Sequence, residues 1–294
     1  MQEITYIPHI SIKPNYISAY DLPEIRLRRS TRQIENQVNL SETDHKGKIS
    51  IKARRRIETA ISWLLHTTER KRFYSARHKK HFYFKINFCT LTLASKQVHD
   101  DNTIKKVLLN QFLTEVRQKY GVKYYLWRAE PQKNKNIHFH IVMDKYIHYS
   151  EVRKMWIRIQ DKLGYVERYT DQSGDIEPPC SEIKSVKKVK DLASYLAKYC
   201  VKESKIRKIQ GKQWGLSYAL SHLKSAVTVP TRAMQDEFLR LSKKFKHRLV
   251  KYDYATCLYI PVRQWSKYIS NELYMLFKNY TEQVINAPPK LTPI

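Results

Sequence analysis

Ile137-His138-Phe139-His140-Ile141-Val142-Met143 alternates apolar and polar residues over its first five positions, the period-two signature of a strand with one face against a core. On a strand, residues i and i+2 point to the same side, so both imidazoles project from one face. Two metal-capable nitrogens then share one site. Just upstream, Lys123 to Glu130 reads as a second strand and Pro131 to Asn136 supplies turn residues, which predicts an antiparallel hairpin. Two neutral imidazoles alone hold a divalent ion poorly, and Glu130, at the end of the partner strand, is the oxygen donor placed to complete the set. A His, His, Glu group suits Mn²⁺ or Mg²⁺ with open positions for phosphate oxygens. The competing reading is a pair of surface histidines beside an unrelated carboxylate.

A later stretch, Tyr195-Leu196-Ala197-Lys198-Tyr199, sets two phenols four residues apart. On a helix from about Val189 to Glu203 that spacing is about 400° of rotation and ~6 Å of rise, so the rings stack on one face with Lys198 beside them. A phenol of ordinary pKa, about 10, is a weak nucleophile at neutral pH and needs a polarised phosphate and a nearby cation. Lys198 and the metal would supply both. Core aromatics of an amphipathic helix are the alternative, but that alternative must also account for the lysine, the histidine pair and the carboxylate.

Composition agrees with a phosphate substrate. Among 294 residues, 55 Lys and Arg stand against 27 Asp and Glu, a net charge of +28, which implies a polyanionic partner. The 21 tyrosines and five tryptophans add faces on which unpaired bases stack, so single-stranded nucleic acid is the expected ligand. The four cysteines, Cys89, Cys180, Cys200 and Cys257, have no zinc spacing and read as reduced thiols. No apolar run approaches membrane-spanning length and the first ten residues lack a signal-peptide pattern, so no membrane partner and a cytoplasmic location are expected. The six glycines form neither a Walker A loop nor a dinucleotide fingerprint, so no nucleotide cofactor is expected.

Around the hairpin, residues 1 to about 48 carry Pro8, Pro14 and Pro23 and a cluster of arginines, and read as an extended basic arm. Ser50 caps a helix with Ala53, Ile57, Ala60, Ile61 and Leu64 on its apolar side and basic residues, including Arg54 and Arg55, on the others. His81 to Leu93 reads as one strand, Asn102 to Tyr120 as a helix ended by Gly121, and Ser150 as the cap of a helix ended by Gly164. Tyr165 to Thr170 reads as a short strand, Ile183 to Val186 as a re-entry into the sheet, and Gly211 to Gly215 as a loop. A helix from Thr231, a β-rich stretch Tyr252 to Val262 and a last helix from Gln264 follow, before a proline-rich tail.

Three of these stretches together resemble the HUH endonucleases, in particular the rolling-circle replication initiators of small single-stranded DNA phages of microvirus type and of plasmids. Phe88-Cys89-Thr90-Leu91-Thr92-Leu93 looks like the first motif of that family, and His138-Phe139-His140 matches its His-hydrophobe-His motif. Glu130 stands where Rep-type members place the third ligand, and Tyr195 to Tyr199 matches the Tyr-x-x-Lys-Tyr form of two-tyrosine initiators. Gly211 to Ser217 is similar to a Gly-x-x-Trp-Gly-x-Ser stretch that follows the tyrosine helix. The order, tyrosines after histidines, favours an initiator over a conjugative relaxase.

The resemblance implies an α+β fold in which an antiparallel RRM- or ferredoxin-like sheet carries the metal site between flanking helices. The domains expected are a basic N-terminal arm and helix (1–80), the HUH core (81–204) and a C-terminal extension (205–294). The implied activity is metal-dependent nicking of a single-stranded origin by Tyr195 or Tyr199, with Lys198 assisting and His138, His140 and Glu130 holding Mg²⁺ or Mn²⁺. Thr90, Thr92, Arg54, Arg55, Lys212 and Trp214 are expected DNA contacts, and a host helicase and DNA polymerase the expected partners. Two alternatives stay open: an HUH-type transposase, and a non-enzymatic RRM-like binder that stacks bases on Phe82, Tyr83 and Phe84.

Overall fold

The computed structural model describes residues 5–24, 49–75, 79–185, 206–260 and 264–286. The chain divides into an end unit, made of Met1–Asp44 and Leu223–Ile294, and a central unit, His45–His222. The end unit opens with β1 (Tyr6–Lys13) and β2 (Tyr16–Pro23), an antiparallel hairpin where an extended arm was expected. The prolines that suggested an arm are accommodated. Pro14 lies in the turn, and Pro8 falls outside the stretch Ile10–Ile12 that pairs with another strand, so its missing N–H breaks no ladder on that side.

The central unit begins with α1 (Ile51–Thr67), capped as expected by Ser50, whose Oγ accepts from Ala53 N at 3.1 Å. Ile57, Ala60, Ile61, Trp63 and Leu64 form its buried side. The single strand expected over His81 to Leu93 is two elements. β3 (Lys71–Ser75) and β4 (Lys80–Phe84) make a separate ribbon, and β5 (Asn87–Thr92) starts a new sheet after a break at Lys85 and Ile86. That break carries tertiary ties: Lys85 Nζ donates to the Leu65 carbonyl at 2.8 Å and the Lys85 carbonyl accepts from Lys71 at 2.8 Å.

The sheet is completed by β6 (Tyr125–Pro131), β7 (Ile137–Met143), β8 (Ser181–Ser185) and β9 (Trp214–Leu216) in the order β8-β5-β7-β6-β9, antiparallel throughout. β9 lies within the stretch expected to be a loop. Gly215 is opposite Trp127, and a Cβ there would stand 2.5 Å from the indole Nε1, so only glycine admits this close pairing.

One face of the sheet packs on helices. Asp101–Ile104, a π-helical turn Lys105–Leu109 and Asn110–Tyr120 form the continuous α2, ended by Gly121 at φ 63°. α3 (Tyr149–Asp161) is capped by His148 rather than Ser150; the His148 ring accepts from Ser150 N at 3.4 Å. α4 (Tyr165–Ser173) replaces the strand expected there. Its tyrosines and valine suggest β structure, but Tyr165 is fully buried in the helical core and the Arg168 guanidinium sits over its ring at 4.8 Å, a contact that helical i,i+3 spacing allows. Cys89, Leu91, Trp127, Ala129, Phe139, Ile141 and Met143 of the sheet meet Leu108, Phe112, Val116, Val152, Trp156 and Ile159 of these helices.

The short α5 (Tyr218–Ser221) closes the central unit. The chain then returns to the end unit through β10 (Ala226–Thr228), α6 (Arg232–Lys244), β11 (Leu249–Tyr252) and β12 (Ala255–Leu258). Its sheet runs β10-β1-β2-β12-β11. The last helix is broken: a turn at Trp265–Tyr268 precedes α7 (Asn271–Asn286), and the buried Glu237 carboxylate accepts from the Ser270 backbone and side chain at the break. The mixed α/β architecture with antiparallel sheets is the α+β class expected.

Burial, helped by the Lys85 charge, lowers the His66 imidazole from 6.5 to about 4. The unfolded chain therefore takes up this proton before the folded one. The stability from neutral His66 is complete above about pH 6.5 and lost as pH falls toward about 4, by a few kcal/mol at most. In urea titrations between pH 7 and 4.5, His66→Gln is expected to flatten the fall of the unfolding midpoint; an unchanged slope would assign the fall to other groups.

Candidate metal centre

The face opposite the helical core carries the candidate residues in rows across the sheet. Thr92, His138 and Glu130 are aligned in register on β5, β7 and β6, and the next row is Glu182, Thr90, His140, Arg128 and Trp214. The hairpin expected from sequence thus forms in the register expected: Glu130 is directly opposite His138. A one-residue slip would send both imidazoles into the apolar core.

Ligand atoms of Glu130, His138 and His140 all lie within 4.8 Å of one another. Glu130 Oε2 is 3.7 Å from His140 Nε2 and 3.9 Å from His138 Nε2, so one carboxylate oxygen serves both rings. Burial pushes the Glu130 carboxyl up, but polar contacts with His138 and His140, then the charges of His140 and Arg128, outweigh it and hold the group down at about 2. Glu130 is ionised at any physiological pH. Both His138 nitrogens and Glu130 Oε1 are buried without a hydrogen-bond partner among the described residues. Lone pairs left bare in this way are costly unless something else binds them, and a cation does. His140 is oriented from behind, with Nδ1 3.2 Å from Thr90 Oγ1. With Nε2 turned to the site as a ligand, Nδ1–H donates to the hydroxyl, an arrangement that fixes tautomer and ring direction.

Sequence reasoning passed over Arg128. Its guanidinium is 5% exposed, with Nε 3.9 Å from Glu130 Oε1, and Nη1 donates to Gln213 Oε1 at 2.8 Å and to the Gln213 carbonyl at 3.2 Å. The signal available was an arginine two residues before the carboxylate, which a strand places on the same face. Beyond it, the Arg56 guanidinium lies over the Trp214 ring at 5.8 Å. The arginine of α1 that reaches this row is therefore Arg56. Arg54 pairs instead with Glu58 at 3.2 Å, and Arg55 is exposed.

A second missed group secures the hairpin turn. Asp101, 2% exposed, accepts two bonds from Arg207, at 2.7 and 2.8 Å, and others from Gln97 and the Gln210 backbone at 2.9 Å. Arg207 also donates to the Lys135 carbonyl at 2.7 Å, and Gln97 Oε1 accepts from Ile137 N at 2.7 Å. The segment after residue 205 is thereby tied to the turn that sets His138. Arg207→Ala strands a buried carboxylate and is expected to destabilise the protein by about 3–5 kcal/mol in denaturant titrations; a loss under about 1 kcal/mol would show that water replaces the guanidinium.

Of the other expected contacts, Thr90 and Thr92 stand in the two ligand rows, and the Lys212 carbonyl accepts from Lys105 Nζ at 3.0 Å. Tyr195, Lys198 and Tyr199 lie outside the described residues. Phe82, Tyr83 and Phe84 belong to the β3–β4 ribbon and not to the five-stranded sheet, so they do not form the stacking platform that an RRM-like binder would use.

Residues 86–204 match a family model of replication-associated proteins, the ORF2 type. The matched segment, less than half of the chain, starts at the head of β5 and contains the His138 and His140 strand, Glu130 and the tyrosine stretch. No curated protein and no solved structure matches the chain. Among the described residues, no helix is long and apolar enough to cross a membrane.

Two imidazoles and a carboxylate that leave bare lone pairs fit a divalent ion. In Mn²⁺ titrations followed by electron paramagnetic resonance, Glu130→Gln is expected to weaken binding at least about tenfold and Thr90→Val about 10- to 100-fold. Protons compete for imidazole nitrogens, so affinity is expected to fall from pH 8 to 5. Affinity independent of both substitutions and of pH would remove these residues from the site.

Proposed function

We propose that the protein initiates replication by nicking a single-stranded DNA origin through tyrosine attack beside the Glu130, His138 and His140 site. The convergence of those three side chains within 4.8 Å carries the reading, because it occurs inside the segment that is similar to a replication-associated family. A divalent ion held there, Mn²⁺ or Mg²⁺, supplies positive charge that polarises and orients the scissile phosphate. The chain's own groups do the rest. Glu130 and the neutral imidazoles are the donors, Thr90 holds His140 in direction, and Arg128 and Arg56 add positive charge along the face.

In the proposed reaction the phenol oxygen of Tyr195 attacks phosphorus in line and gives up its proton. The bond from phosphorus to the 3′ oxygen breaks, that oxygen takes a proton, and the products are a 5′-phosphotyrosine link and a free 3′-OH primer. The link is a diester like the bond it replaces, so rejoining needs no ATP. Attack by Tyr199 on the regenerated origin, then by the released 3′-OH on the first link, closes a circle. Lys198 lowers the cost of forming the phenolate. The ends of the tyrosine segment support this reading: β8 runs away from the ligand rows to Ser185, opposite Asn87, while the chain returns at Arg207, which is bonded to the hairpin turn beside His138.

An HUH-type transposase would use the same site on a different DNA. Labelled single-stranded origin or hairpin DNA, incubated with Mn²⁺ and run on a denaturing gel, tests the chemistry. The expected result is a protein–DNA adduct that is abolished by EDTA and in the Tyr195→Phe, Tyr199→Phe double variant and weakened at least about 10²-fold in Glu130→Gln. An adduct that persists in the double variant would reject the tyrosine mechanism, and tight binding without any adduct would support the non-enzymatic binder.

A further inference from the structure

Arg128 sets a buried cation beside the one carboxylate of the metal group, an arrangement that opposes metal binding. Its position is held. Gln213, itself 2% exposed, accepts from it through both side chain and backbone, and β6 and β9 keep Arg128 and Trp214 in register. Glu130 divides its two oxygens accordingly: Oε2 faces His138 and His140, while Oε1 faces Arg128 Nε at 3.9 Å.

The charges explain what this does. With both imidazoles neutral, Glu130 and Arg128 cancel, so a divalent ion would leave the partly buried site with two uncompensated positive charges. At short range and reduced dielectric that is a large penalty. A phosphodiester is the anion that would relieve it. We propose that Arg128 is a charge-compensating positioning residue that holds the metal affinity of the free protein low and makes metal capture depend on a nucleic-acid phosphate arriving at the site. Coupling of this kind is reciprocal, so metal must tighten DNA binding by the same factor. The inference rests on the metal-centre reading above.

The test uses the full chain carrying Tyr195→Phe and Tyr199→Phe, so that nothing is cut, titrated with Mn²⁺ under electron paramagnetic resonance with and without a single-stranded oligonucleotide. The oligonucleotide is expected to raise Mn²⁺ affinity at least about tenfold. Adding Arg128→Met is expected to raise the affinity of the DNA-free protein by a similar factor and to shrink the DNA effect. An arginine needed only for structure would act with the opposite sign, its loss weakening the metal. If Arg128→Met does not fold, Gln213→Glu, which sets a carboxylate against the same guanidinium, is expected to raise the DNA-free affinity as well. Equal affinity with and without DNA, or a foldable Arg128→Met that binds Mn²⁺ no better than its parent, overturns the proposal while leaving the metal centre standing. Absence of Mn²⁺ binding in every arm removes the metal centre and this inference together.

Discussion

The cross-strand pair Glu130 and His138 is the constraint on which the site depends. Side chains alternate along a strand, so the register of β6 against β7 decides which residues share a face. That register is fixed from the turn. Gln132 N donates to the Asn136 carbonyl at 2.8 Å, Lys135 takes a left-handed φ of 69°, and the Asn136 side chain bonds the Ser95 carbonyl and the Gln97 backbone. Asp101 and Arg207 then lock the turn to α2. A metal group of three side chains is in this way built from rigid elements, with no ligand on a loop.

Charge is distributed unevenly along the chain. His45–His222 contains 38 Lys and Arg against 16 Asp and Glu, whereas the two outer segments together hold 17 against 11. The capacity to neutralise a phosphate backbone is concentrated in the unit that carries the metal group. Within it, the two faces of one sheet divide the labour: Phe139, Ile141, Trp127 and Ala129 supply the packed core, and the alternate residues supply ligands and cations.

Much of this was legible in the sequence, for a physical reason. Period-two alternation, a turn of suitable length and a carboxylate at its lip determine Glu130, His138 and His140 locally, without knowledge of the rest of the chain. Helix caps such as Ser50, Thr231 and Gly121 are equally local. What escaped was non-local. The β1–β2 hairpin is stabilised by strands from the far end of the chain, so its prolines outweighed its alternating isoleucines in a reading confined to neighbours. α4 was hidden by the strand propensity of Tyr165 and Val166, which burial against helical partners overrides. Arg128 looked like one more basic residue of a basic chain, and only its depth and its link to Gln213 distinguish it. The division into an end unit and a central unit has no marker in composition.

The discontinuous sheet has a consequence for synthesis. β1 pairs with β10 and β2 with β12, for example Ser18 with Cys257, so the β1–β2 hairpin leaves the ribosome with both edges open and waits for strands made far later. The central unit draws its sheet from contiguous chain and can close earlier. The hairpin is thus a waiting template, and loss of the later strands would leave an early-made edge free to pair with another chain. Nascent chains cut short would be prone to aggregate while retaining a folded central unit.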